Sequence, residues 1–258
     1  MELFDSHMHL NDEPFRGKKE EYYLKRAKQL NVVSGVVAGQ DADFNRRAIE
    51  LAERFSNLYA TVGYCPDVAT KVDAKAYDVL IKELTKDKVV ALGEIGLDYY
   101  WDESPRSVQR DVFAQQLDLA YQIKKPVNIH TRDAFEDTYD ILSQSKVGEY
   151  GGIIHNFNGD PDYLKKILDL GMYVSFSGVV SFTKAVDVHA SAKAVPLDRF
   201  LIETDAPYLT PKPYRGRQNE TGYVYYVAQA IADIKNISLE EVALHTFNNA
   251  MRIYGITK

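Results

Sequence analysis

KVVALGEIG, residues 88–96, decides the fold. It is apolar on consecutive positions rather than on alternate ones. A strand that is apolar on both faces suits a parallel sheet covered on each side. VVSGVVA, residues 32–38, reads the same way. The strand within KVVALGEIG is expected over 88–95, and working outward, short β-branched or apolar runs recur near 2–6, 58–63, 126–130, 151–155, 172–177 and 199–204, which makes eight expected strands.

The intervening segments carry helical spacing. Phe44, Ala48, Leu51, Ala52 and Phe55 fall on one helix face, and Val224, Val227, Ala228 and Ile231 repeat the pattern after the last run. Asp160-Pro161 reads as an N-cap followed by a first-turn proline. Ser238 and Glu241 have the spacing of a capping box. No linker or low-complexity tract interrupts residues 1–258, so one α/β domain is expected, a (β/α)₈ TIM-type barrel. An open doubly wound sheet is the structural rival. Its usual nucleotide-binding signatures, Gly-x-Gly-x-x-Gly after the first strand or a loop ending Gly-Lys-Ser/Thr, are missing from the sequence.

Composition narrows the class. The 258 residues carry 31 basic and 37 acidic side chains, a formal charge of −6, which disfavours a protein that coats nucleic acid. It leaves open an enzyme that grasps one strand end. The single cysteine, Cys65, permits no intrachain disulfide, and a reducing compartment is expected. The opening MELFDSHMHL lacks the basic and apolar regions of a signal peptide, and no run approaches a membrane span.

In such a barrel the reactive groups stand at the C-terminal ends of strands. His7 and His9 follow the first expected strand two residues apart, so both imidazoles can reach one ion. His130 closes PVNIH and His155 closes GGIIH. Four of the six histidines therefore end strands. His189 and His245 lie in helical stretches and read as structural or surface residues. Glu94 and Asp205 each follow an apolar run and supply the carboxylates that a divalent-metal site needs. Two divalent ions and two carboxylates leave about +2 on the ligand shell, which suits a phosphodiester and its more highly charged transition state.

These residues sit in DSHMHL, GEIGLDYY, HTRDA, HNFNG and ETDAPYL. In that order and spacing they closely resemble the TatD family of metal-dependent hydrolases, within the amidohydrolase superfamily. The resemblance runs from residue 5 to beyond 220. It implies a (β/α)₈ barrel with two divalent ions, magnesium foremost and manganese or zinc as alternatives. His7, His9 and Asp205 would hold one ion, His130 and His155 the other, and Glu94 would bridge them. The activity it implies is removal of nucleotides from 3′ ends of single-stranded DNA. No membrane and no obligate protein partner are expected.

The chain departs from the family pattern at three places. Gly63-Tyr64-Cys65-Pro66 stands where family members often have Gly-x-His-Pro. His155-Asn156-Phe157-Asn158-Gly159 replaces a frequent His-Cys-Phe-Ser/Thr-Gly. In PYRGRQNETGYV, Thr221 replaces a proline that usually follows Asn-Glu. None of these changes removes an expected ligand.

Asp205 is assigned as the base that orients or deprotonates the attacking water, with Glu94 as the second catalytic carboxylate. Glu203, two residues before Asp205, is expected on the same side of the strand, behind a ligand imidazole or paired with a basic side chain. Arg132, Arg215 and Asn219 are the expected substrate contacts. Lys212 and Arg217 extend the basic loop, and Tyr208, Tyr214 and the Tyr99-Tyr100-Trp101 run offer stacking surfaces. Two other readings stay open: hydrolysis of another ester or amide, such as an aminoacyl ester on tRNA, and a non-catalytic protein with a relic metal site.

Overall fold

The computed structural model describes residues 1–17 and 19–257. Eight parallel strands follow one another through the sheet in chain order. They are β1 (Leu3–Met8), β2 (Val32–Ala38), β3 (Leu58–Val62), β4 (Val89–Asp98), β5 (Val127–Arg132), β6 (Gly152–Ile154), β7 (Tyr173–Phe176) and β8 (Phe200–Ile202). Helices α1 (Lys19–Gln29), α2 (Ala42–Arg54), α3 (Ala74–Leu84), α4 (Arg106–Ile123), α5 (Phe135–Gln144), α6 (Val147–Tyr150), α7 (Pro161–Asp169), α8 (Val186–Ala194), α9 (Val224–Lys235) and α10 (Leu239–Ile253) fall between and after them. This is the (β/α)₈ arrangement that KVVALGEIG predicts, and all ten residues of β4 are buried.

Two compact units make up the chain: residues 1–37, 155–165 and 174–258 in one, and 38–154 with 166–173 in the other. No linker marks the division, which runs through β2, α7 and β7 and falls at the end of β6.

In the first unit the core gathers around Phe4 of β1, which meets Phe247 of α10 edge-on at 5.9 Å, and around Phe176 and Phe200, 6.2 Å apart. The expected face of α9 is fully buried at Val224, Val227, Ala228 and Ile231. Ser238 caps α10 by accepting from the Glu241 N–H at 3.1 Å, and Asp160 caps α7 through the Tyr163 N–H at 2.8 Å. Buried Asp5 ties β1 to the segment after β8. Its carboxylate accepts the Thr204 N–H at 2.9 Å and the hydroxyls of Thr204 and Thr221 at 2.6 and 2.7 Å.

In the second unit Ala48, Leu51 and Ala52 of α2 are buried while Phe44 and Phe55 are half-buried, as an amphipathic face flanked by larger rings should be. β4 runs three residues past its expected end at 95. The extension is held by β5, with Gly96 opposite His130 and Asp98 opposite Arg132. Gly96 has φ +138°, and a Cβ there would lie 1.9 Å from the His130 carbonyl oxygen. Only glycine allows the strands to approach so closely at this point.

Candidate metal centre

The first unit brings three imidazoles and two carboxylates together. His7 lies on β1 and His9 just beyond it, and their Nε2 atoms are 3.2 Å apart. Both face Asp205, whose Oδ1 is 3.7 Å from His7 Nε2 and 3.3 Å from His9 Nε2. The His155 ring stacks on His7 at 4.0 Å with the planes 9° apart. Glu203, fully buried, reaches His155 Nδ1 at 3.2 Å and accepts the Asn156 N–H at 2.8 Å through the same oxygen.

Backbone geometry explains this convergence. β8 ends at Ile202, so strand alternation does not carry through to Glu203 and Asp205 as the sequence suggested. The chain instead turns, with Asp205 at φ +54°, a left-handed conformation that is sparsely populated for residues with a Cβ. The turn is secured by Asp205 N–H to His7 O at 3.0 Å and by His9 N–H to Ala206 O at 2.8 Å. Burial pushes the Asp205 carboxyl upward, but the hydrogen bond from His9 and the three nearby imidazoles hold it below the ordinary aspartate range. It is therefore a carboxylate at neutral pH.

These atoms fit a divalent ion. Nitrogen ligands lie about 2.1 Å from such a metal, so two on one ion are roughly 3.0–3.4 Å apart, the spacing of the two Nε2 atoms. His7, His155 and Glu203 also offer ligand atoms that all lie within 4.8 Å of one another. The second Glu203 oxygen is buried without a hydrogen-bond partner, which is costly for a carboxylate unless a cation or donor meets it.

In the second unit Glu94 lies on β4, 4% exposed, and its Oε1 is 3.0 Å from Nδ1 of His130 on β5. Gln40 donates to Glu94 Oε2 at 3.2 Å. The opposite nitrogen of His130, Nε2, is 2.9 Å from Asp98 Oδ2. Sequence reasoning missed both Gln40 and Asp98. The signal for Asp98 was present: Glu94, Gly96 and Asp98 share one face of a strand at spacing two, but the strand was expected to end at 95. Burial first, then the negative charges of Glu94 and Asp67, push the Cys65 thiol well above its usual range. A neutral thiol thus stands where the family pattern often has histidine.

The proposed substrate contacts divide. The Arg132 guanidinium lies over the Tyr100 ring at 3.8 Å and 5.6 Å from the Trp101 ring centre. Tyr100 and Trp101 are 55% and 59% exposed. Lys212, Arg215 and Arg217 are exposed. Arg215 packs over Phe182 at 4.1 Å, and Tyr214 stacks on Tyr223 at 4.5 Å. Asn219 is different. It is fully buried, its amide donates to the carbonyls of Thr204 and Tyr208, and its oxygen accepts the Glu220 N–H. These bonds clasp the loop onto itself. His189 bonds the Val180 carbonyl at 3.0 Å, the structural role expected of it. Among the described residues no helix is long and apolar enough to cross a membrane.

A (β/α)₈ chain that carries buried imidazoles and carboxylates beyond its strands has the constitution of a metal-dependent hydrolase. The comparisons carry this to a family. Residues 4–255 match the family described as TatD related DNase, and the chain belongs to it. It is 43% identical over 256 residues to YabD of Bacillus subtilis, named an uncharacterized metal-dependent hydrolase, covering 98% of this chain and 99% of that one. It is 36% identical over 264 residues to YcfH of Escherichia coli K12, named in the same words, with 99% and 97% covered. The crystal structure of YJJV, a TatD homolog from E. coli K12, superposes with a TM-score of 0.93 at 28% identity, covering 99% of this chain and 98% of that one.

If these donors hold ions, removing them must lower stability, because an ion that binds only the folded state adds stability by mass action. At ~100-fold excess over Kd the gain is about 2.7 kcal/mol, or roughly 5–10 °C for a chain of this size. EDTA-treated protein is expected to melt that much lower than protein supplied with manganese or zinc. Identical melting with EDTA and with each of magnesium, manganese and zinc would exclude these side chains as a metal site.

Proposed function

We propose that this chain is a divalent-metal-dependent deoxyribonuclease that shortens single-stranded DNA from its 3′ end. The observation that carries the reading is the buried convergence of His7 and His9 Nε2 on an ionised Asp205. In this reading His7, His9 and Asp205 would hold one ion and His130 and His155 a second, with Glu94 as the carboxylate they would share. Magnesium is the working ion, with manganese or zinc as substitutes. When bound, the ions lower the pKa of water and neutralise phosphate oxygens.

The protein's own groups do the rest. Asp205 takes the proton of the water that attacks phosphorus, the bond from phosphorus to the 3′ oxygen of the shortened strand breaks, and that oxygen takes a proton from solvent water. Glu203 fixes the His155 ring through Nδ1. Arg132, half-buried between ring faces and solvent, offers two donors to a phosphate. The exposed rings of Tyr100 and Trp101 offer faces to unpaired bases, and the cations of Lys212, Arg215 and Arg217 attract the backbone. A net charge of −6 suits local capture of a strand end better than a grip on long duplex. The single cysteine is a buried free thiol, in keeping with a cytoplasmic location.

The test is 5′-labelled single-stranded DNA incubated with purified protein and magnesium, with an EDTA control. A ladder of shortened labelled products that vanishes with EDTA is expected. Metal-loaded protein that leaves DNA intact but hydrolyses aminoacyl esters or amides would overturn the assignment of the phosphodiester bond.

A further inference from the structure

Asp98 has no place in the reading above, yet its surroundings are unusually specific. It is 2% exposed and ends β4. Its backbone is gripped on both sides by buried Gln109, whose Oε1 accepts the Asp98 N–H at 2.9 Å and whose Nε2 donates to the Asp98 carbonyl at 3.1 Å. Its side-chain oxygens have separate tasks. Oδ1 accepts the N–H groups of Tyr100 and Trp101, both at 2.9 Å. Oδ2 faces His130 Nε2 at 2.9 Å.

We propose that Asp98 is a positioning residue that keeps the His130 proton on Nε2, presents Nδ1 as the metal-ligating atom, and joins that choice to the turn carrying Tyr100 and Trp101. The inference rests on the reading of His130 as a ligand. An imidazole facing a carboxylate directs its proton there, because a carboxylate can only accept. The opposite nitrogen, Nδ1, lies 3.0 Å from the Glu94 carboxylate, the spacing of two donors on one ion, and it is the nitrogen that gives up any proton when a metal binds. A carboxylate behind a ligand imidazole fixes ring orientation and tautomer and raises ligand basicity.

Glu203 and His155 form a mirror of this pair. There the carboxylate meets Nδ1 and holds the proton on that nitrogen. Carboxylates thus select opposite nitrogens on the two rings.

Asp98→Asn is the informative variant. Its oxygen can still accept the Tyr100 and Trp101 N–H groups while its amide nitrogen turns to His130. A donor there requires His130 Nε2 to accept, which drives the proton onto Nδ1 and blocks the ligating atom. Zinc or manganese titrations by calorimetry on wild type, Asp98→Asn and His130→Ala, with melting of the metal-free proteins, form the test. Imidazole nitrogen shifts of wild type and Asp98→Asn supply a second readout that needs no metal.

The expected result is a drop of about 10–100-fold in affinity for one ion in Asp98→Asn, a melting temperature close to wild type without metal, and a proton moved from Nε2 to Nδ1. Wild-type affinity together with an unmoved proton would overturn the proposal and leave Asp98 as a loop cap only. If the variant does not fold, a wild-type shift that places the proton on Nδ1 overturns it equally. If His130→Ala binds metal as wild type does, the ligand assignment itself falls, a failure distinguishable from that of Asp98 alone.

Discussion

Glu94→Gln is expected to reduce magnesium-dependent cleavage of single-stranded DNA by at least ~10³-fold, the scale on which metal-held charge stabilises a transition state. The substitution keeps the shape of the side chain and removes its charge. In the native chain one Glu94 oxygen faces His130 Nδ1 and the other accepts from Gln40. An amide can satisfy these neighbours, so the fold should survive. It cannot balance two divalent charges as the carboxylate proposed to be shared between them would. Single-turnover rates at saturating metal, with metal content measured beside them, check the expectation. Loss of rate with full metal content points to the chemistry; loss of both points to assembly of the centre. Activity within tenfold of wild type would remove Glu94 from the proposed mechanism.

Asp5→Ala should have the largest effect on stability, about 3–5 kcal/mol, because each buried donor left without its acceptor costs about 1–3 kcal/mol. Three donors lose their acceptor at once: the Thr204 N–H and the hydroxyls of Thr204 and Thr221. Burial pushes the Asp5 carboxyl up to about 7, while those three hydrogen bonds pull it down. Urea denaturation would show a lower midpoint with an unchanged slope. Thr221→Val removes one donor alone and should cost about 0.5–1.5 kcal/mol. Thr221 stands where the family pattern has proline, and the hydroxyl it brings is part of what fixes β1 beneath His7. A loss below 1 kcal/mol for Asp5→Ala would show that the segment after β8 is held by packing instead.

What the sequence made legible was whatever periodicity and strand ends can encode. Uninterrupted apolar runs announced a parallel sheet, and histidines at the ends of such runs announced the centre, because strand geometry maps position onto direction. His7 and His9 needed nothing more than spacing two. The segment after β8 was beyond reach. Glu203 and Asp205 converge through a turn with a left-handed residue, and no pattern of side chains encodes that backbone choice for aspartate. Asn219 looked like a polar residue at a loop rim, but its hydrogen bonds close the loop on itself. Asp98 was hidden by an underestimated strand length, itself a result of the close approach that Gly96 permits.

The doubly used carboxylate of Asp98 also limits how this enzyme can change. A position that holds the tautomer of a half-buried imidazole and the backbone of an exposed turn cannot drift toward new specificity without disturbing reactivity. Variation must therefore enter through the side chains at 100, 101 and 132, which project from a backbone fixed by other demands. Libraries aimed at altered substrate preference would do well to randomise those three positions and leave Asp98 and Gln109 untouched.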